Sequence, residues 1–257
     1  MQLIKNLYSY RELLKSNVKK EIRGKYKGSF LGVLWSFLNP LLQVLVYAIV
    51  FPYIMRIKTD NYLQYLIVGI IPWTFFITVI NQGMITVRMN AGIIKKVYFP
   101  REILPISVAV SGLVNFFISC IIILIFCLIG GIGLSWHLLL LPVVALIQFI
   151  FTLGLVFALS SINIYIKDTE YLIAFIINMV FYATPILYPT TLFPESVRWI
   201  LYLNPMTGII EFYRDIFMYH TIPSLSIILY IVSVAIIFFI IGLAIFRKLE
   251  KGFAEEV

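Results

Sequence analysis

The chain has 257 residues, of which 61% are hydrophobic and only 12% charged, and it carries a net charge of +8. A soluble domain is about 25% charged, so this chain lacks the polar surface that a soluble enzyme, a disordered chain or a disulfide scaffold would need. A mean hydropathy of +1.00 leaves a polytopic membrane protein, in which lipid replaces water around most of the surface.

Residues 1–30 form a separate element. Leu3, Leu7, Tyr10, Leu14, Val18 and Ile22 recur every three or four positions, while Lys5, Arg11, Lys15, Lys19 and Arg23 take other faces. That pattern predicts a basic amphipathic helix in the membrane interface. It serves either as an anchor on anionic lipid or as a cationic contact for an anionic head group. Residues 31–257 make the transmembrane part. A spanning helix needs about 20 apolar residues. Uninterrupted apolar runs cover 31–53, 63–80, 103–128, 138–161, 171–187 and 225–246, so the expected fold class is all-α with six transmembrane helices.

Two connections exceed simple turns. The stretch 81–102 is basic, has room for one short helix at about 86–97, and ends in VYFPRE. A helix lying there can insert into a groove on a soluble partner, or form a plain interfacial loop. The stretch 188–224 contains LFPESVRWILYLNPMTGIIEFYRDIF. Pro194 and Pro205 suit first helical turns, and Asn204 suits an N-cap. Two short helices joined at 203–205 follow, each too short to span. Val197, Ile200 and Leu201, then Ile209, Phe212 and Ile216, recur at helical spacing. The pair reads as a re-entrant hairpin in the outer leaflet or as a loop lying flat on the membrane.

Lys and Arg divide sixteen to four between alternate segments, with eight of the sixteen in the N-terminal stretch. The positive-inside rule then puts both termini in the cytoplasm, and an even number of spans agrees. The six runs hold no Asp, Glu, Lys or Arg, which argues against a proton relay or an ion-coupled carrier. Neither HExxH nor GxSxG occurs, and the lone pair Gly24–Lys25 is no P-loop. The two histidines, His137 and His220, lie far apart in the chain, so no metal site is expected. Cys120 and Cys127 share a face of the third run, which suits packing. Asn39, Gln43, Asn115, Gln148, Asn163, Asn178 and Thr184 are costly in lipid unless they meet a neighbouring helix or a cavity. Energy for transport would have to come from outside the chain.

Four stretches carry a resemblance: KEIRGKYKGSFLGVLWSFLNPLLQ (20–43), AGIIKKVYFPREILPIS (91–107), INIYIKDTEYLI (162–173) and YATPILYPTTLFPESVRWILYLNPMTGIIEFYRDIFM (182–218). In this order and spacing they resemble the membrane subunits of polysaccharide ABC exporters, the type-2 permeases for lipid-linked O-antigen or teichoic acid. The resemblance implies a homodimeric channel in the bacterial inner membrane. Each copy would bind a cytoplasmic nucleotide-binding subunit that holds ATP and Mg, so this chain itself would need no cofactor or metal and would not be an enzyme. The substrate would be a glycan on undecaprenyl pyrophosphate. Arg23, Lys25 and Lys27, with the turn of Ser29 and Gly32, would meet the pyrophosphate. Trp35, Phe37, Tyr47, Phe51, Phe181 and Tyr182 would line the glycan path. Thr86, Arg88, Asn90, Ile94, Lys95, Lys96 and Tyr98, within the coupling loop 81–102, would couple to the ATPase. Glu195, Trp199, Tyr202, Phe212 and Tyr213, within the helices at 194–218, would form an external gate. A type-2 permease for a small drug or lipid shares these loops. A glycan-modifying enzyme would have only Glu195, Glu211 and Asp215 to work with near the external hairpin.

Overall fold

The computed structural model describes residues 2–24, 30, 32–55 and 61–256. All regular structure among them is helical. Two helices, α1 (Gln2–Ser9) and α2 (Arg11–Gly24), take the place of the single amphipathic helix. Then come α3 (Trp35–Met55), α4 (Tyr62–Met89), the single turn α5 (Ala91–Ile94) and α6 (Ile103–Ile129). They are followed by α7 (Leu141–Tyr165), α8 (Thr169–Ala183), α9 (Glu195–Tyr202) and α10 (Pro205–Arg214). A π-helical turn (Asp215–Tyr219) leads to α11 (Leu225–Leu249) and the short α12 (Phe253–Glu256).

Four helical segments are long and apolar enough to cross a membrane: Tyr62–Met89, Ile103–Ile129, Trp136–Tyr165 and Leu225–Gly252. The other two apolar runs fold as α3 and α8, whose described apolar helical parts are shorter. At 15 residues, α8 is about 22 Å long, less than the roughly 30 Å hydrocarbon layer. The cause is local. Thr184 precedes Pro185 and adopts an extended backbone, with ψ 135°, as steric conflict with a following proline ring requires. The rest of the run continues as non-helical chain.

The centre of the bundle is α4, against which α3, α6, α7, α8 and α10 all pack. Most of its side chains are buried, from Tyr65 and Leu66 to Val87. Pro72 lies inside it and supplies no N–H to the carbonyl of Val68. The nearby carbonyl of Pro72 itself accepts from the buried Gln148 amide, 2.8 Å away on α7. The tightest pairing is α7 with α11. A Cβ on Gly154 would stand 2.6 Å from the Phe239 backbone, and one on Gly242 would collide with the Gly154 carbonyl. Backbone contact of this kind is the usual glue between helices in lipid, where apolar surface alone gives no net attraction. At the other end of α6, Gly131 has φ +74°. Its N–H bonds the Leu128 carbonyl and that of Ile132 bonds the Cys127 carbonyl, a paired helix stop that glycine permits. Cys120 and Cys127 are both free thiols buried in the core.

The long connection after α8 does fold as two helices. Asn204 caps α10, its side chain accepting from the Met206 N–H at 3.0 Å, and Pro205 stands in its first turn. The two members differ in depth. No residue of α9 is fully buried, whereas α10 inserts against α4, α7 and α11 and buries Met206 through Ile210.

Candidate functional site

The Lys/Arg-rich end of the bundle is built around the end of α4. The expected helix at 86–97 is instead divided: Thr86 and Arg88 belong to the last turn of α4, and only Ala91–Ile94 turns separately. Thr86, Asn90 and Ile94 are buried, so they hold the segment in place rather than present it. Lys20 of α2 donates to Asn90 Oδ1 at 3.0 Å, and Asn90 Nδ2 donates to the Thr86 carbonyl at 2.7 Å. Arg88 pairs with Glu170 of α8, and Asn163 Nδ2 donates to the same carboxylate. What remains on the outside is apolar and basic: Met89, Ile93 and Val97 are exposed with Lys95 and Lys96, and Tyr98 is 90% exposed. Beside them a cavity of about 800 Å³ opens between Tyr10, Tyr98, Arg101, Arg247 and Lys251. Its walls are tied by Arg101 donating to the Glu250 carbonyl and by Arg247 paired with Glu102 at 3.6 Å. Arg23 is exposed on the last turn of α2 and Gly32 has φ +50°. Lys25, Lys27 and Ser29 lie outside the described residues, as does the side chain of Phe37.

The aromatic residues expected to share one path separate into two groups. Phe181 is only 7% exposed, packed between Tyr47 at 6.1 Å and Trp73 at 5.7 Å, and Phe51 is half-buried at the edge of Tyr47. These rings join α3 and α8 to α4. Tyr182 is 63% exposed, as are Phe175 and Tyr171 along the same helix to similar degrees, and Trp35 is exposed at the start of α3. Of the described residues expected on that path, the exposed rings are therefore Tyr182 on α8 and Trp35.

At the opposite end, Glu195 and Trp199 are exposed on α9 and Tyr202 is half-buried. Phe212 and Tyr213 differ from them in exposure. Both are core residues of α10, and the Tyr213 hydroxyl donates to Gln148 Oε1 at 2.9 Å, completing a chain that ends on the Pro72 carbonyl. The residue that composition alone does not single out is Arg214. It is fully buried. Its guanidinium donates to the carbonyls of Pro185 at 2.6 Å and Ile186 at 2.9 Å, pairs with Glu211 at 2.7 Å, and lies 3.4 Å from the centre of the Tyr65 ring. Tyr62 and Tyr65 in turn donate to the carbonyls of Leu187 and Tyr188. The carbonyls freed where α8 ends are thus gathered by one arginine and two tyrosines. A signal for it exists in the sequence, since Glu211 precedes Arg214 by one helical turn, but that pair alone does not reveal its burial.

Next to this hub Asp215 is half-buried. Its carboxyl is pushed up to about 6, first by burial and then by the charge of Glu211, while a hydrogen bond from Thr221 opposes the shift. The two histidines, distant in sequence, stack with ring centres 6.4 Å apart. Among the described residues no set of three His, Cys, Asp or Glu side chains comes together around them or elsewhere as a metal site would require.

Comparison with known proteins agrees with this arrangement. A family model described as ABC-2 type transporter matches residues 12–218. The chain is 37% identical to the O-antigen export system permease protein RfbA of Myxococcus xanthus, with all of both chains covered. It is also 37% identical to the protein of that name from Klebsiella pneumoniae, over 97% of this chain and 96% of the relative. A more distant relative is the polysialic acid transport protein KpsM of Escherichia coli, 23% identical over 91% of this chain and 92% of that one. The relatives are transport subunits, and the apolar helices here have the length and composition of membrane spans. With the family pattern extending over most of an all-helical, apolar bundle, the chain belongs to the ABC-2 type transporter membrane family.

Proposed function

We propose that this chain is the transmembrane permease of an ATP-driven exporter whose cargo is an O-antigen-type polysaccharide carried on undecaprenyl pyrophosphate. The observation that carries the reading is the likeness to O-antigen export permeases across the whole chain at 37% identity. The charge pattern gives it a direction. With the sixteen-to-four division of Lys and Arg, both termini face the cytoplasm. α3, α4, α6, α7, α8 and α11 are then the six crossings, with α8 completed by the non-helical chain beyond Thr184. Two copies form the conduit.

The cytoplasmic surface supports a partner that supplies ATP hydrolysis. Ile93, Val97, Tyr98, Lys95 and Lys96 form an exposed apolar and basic cap on a buried base of Thr86, Asn90 and Ile94. A docked subunit that shifts this cap pulls directly on α4, the helix most others rest on. Arg23, together with Lys25 and Lys27, offers cations to the lipid pyrophosphate at the membrane surface. The polymer then passes the exposed aromatic face of α8, where ring planes tolerate any sugar. α9 and α10 close the outer end.

The test is reconstitution. The chain expressed with its cognate P-loop subunit should purify as a complex whose ATPase rises when lipid-linked glycan is added to proteoliposomes. The same pair should restore surface polysaccharide to a strain lacking its own permease. A chain that brings down no P-loop subunit, or that leaves the glycan inside the cell, overturns the reading.

A further inference from the structure

Stripes of uncharged polar side chains meet where α3, α4 and α6 come together. α4 contributes Thr74, Thr78 and Gln82, one turn apart and so stacked along a single face. α6 adds Asn115 and Ser119 at the same spacing, and α3 adds Asn39 and the ring of Trp35. They line an open cavity of about 360 Å³. Gln82 also lines a second cavity of about 340 Å³, walled by Lys20 and Gly24 of α2 and by Asn90. The two together lead from the amphipathic helix into the middle of the bundle.

Many polar groups elsewhere in the fold are bonded internally, with Thr207 Oγ1 and Asn163 Oδ1 among the exceptions. Gln148 bonds Pro72 and Tyr213, and Asn204 bonds Thr184. Thr152 and Thr184 return their hydroxyls to the carbonyl one turn back. Thr74 and Thr78 make no such bond among the described residues. Asn39 and Gln82 are exposed at the cavity instead. Polar groups held at membrane depth without internal partners are costly, and acyl chains would leave them unpaired. Among the described residues an anion would find no cation inside, because Lys20 stands only at the mouth, beside Glu21. Hydroxyls and amides beside an indole face suit an uncharged polyhydroxylated ring, whose O–H groups bond the rim and whose C–H face lies on the aromatic plane.

We propose that this groove between α3, α4 and α6 is a sugar subsite, holding an uncharged ring of the lipid-linked glycan just inside the mouth formed by Lys20, Gly24 and Asn90. The assignment rests on the export reading above. It places the first sugars on a face of the bundle distinct from the aromatic face of α8.

The experiment uses the permease with its ATPase in cells making the lipid-linked glycan. A photoreactive benzoylphenylalanine replaces Gln82 in one variant. In a control it replaces Ile121, exposed on α6 away from the groove. Irradiation should yield a glycan-bearing adduct at position 82 and none at 121. The near-isosteric double variant Thr74→Val/Thr78→Val should lower surface glycan about ten-fold at equal chain level, as the loss of two hydrogen bonds implies. A cross-linked product of twice the chain's mass would make the groove an interface between copies and overturn the proposal. So would adducts only to phospholipid, or unchanged export by the double variant. In these cases glycan adducts at a benzoylphenylalanine replacing Tyr182 on α8 would leave the export reading standing. Wild-type chain that exports no glycan would overturn both.

Discussion

Arg214 is a cation with no water around it, and its surroundings explain why it is tolerated. Two carbonyls, one carboxylate and an aromatic face meet the guanidinium, a planar fork that ammonium cannot imitate. Room for it exists because residue 69 is glycine: a Cβ there would stand 2.9 Å from Arg214 Nη2. Removing one member of a buried charged network costs about 3–5 kcal/mol. Arg214→Met should therefore melt well below wild type in detergent, with Arg214→Lys intermediate, as read by thermal unfolding of the purified chain. A melting point for Arg214→Met equal to wild type would show that the hub is structurally idle. In the sequence Arg214 counts among four outward-facing charges, and nothing there reports that it is fully buried. Its burial depends on Gly69 and Tyr65, nearly 150 positions upstream, and no local pattern reports that. Asn204 shows the opposite case: its cap is formed by its own neighbours, and local sequence was enough to find it.

Between elements, the contact of α7 with α11 decides how the last helix is held. Gly154 and Gly242 let two backbones touch, and much of the remaining surface of α11 is exposed apolar side chain such as Ile236, Ile237, Ile240 and Ile241. Gly154→Val should force the helices apart and release α11. Limited tryptic proteolysis at Arg247, Lys248 and Lys251, around the end of α11, should then speed up several-fold while α4 and α6 stay protected; an unchanged digestion pattern would mean other contacts hold the helix. Apolar runs located all the long helices, because lipid enforces length and backbone self-sufficiency. They overestimated α8, where Pro185 stops the helix inside an apolar run. They also ended the second run at 80, before the polar pair Asn81 and Gln82, whereas α4 continues to Met89, with Arg88 of its last turn paired to Glu170 on α8.

For the molecule as a whole, the basic collar seen in the sequence becomes a surface with a specific shape: a cap of Ile93, Val97 and Tyr98 flanked by Lys95 and Lys96. Replacing both lysines with Glu leaves the buried base intact. It should reduce the ATPase subunit retained on purification and lower glycan export by about ten-fold, roughly 1.4 kcal/mol of coupling, with no loss of the folded chain on size exclusion. Full retention of the partner would move its docking surface elsewhere. The sugar groove, by contrast, was legible only as scattered amides and hydroxyls, since three helices remote in sequence must meet before it exists. The two ends of the bundle also differ in how they are fastened. Around Arg214 and Gln148 the bonds are buried and mutually supporting, while the ties at the Lys/Arg-rich end, Lys20 to Asn90, Arg88 to Glu170 and Arg247 to Glu102, are partly exposed, and such exposed ion pairs are individually worth about 0–1 kcal/mol. In the orientation proposed above, the firmer end is the outer one. A displacement applied at the cap would then bend the inner half first and pivot about the outer end, so a seam for a lipid head would open on the side where the fuel is spent.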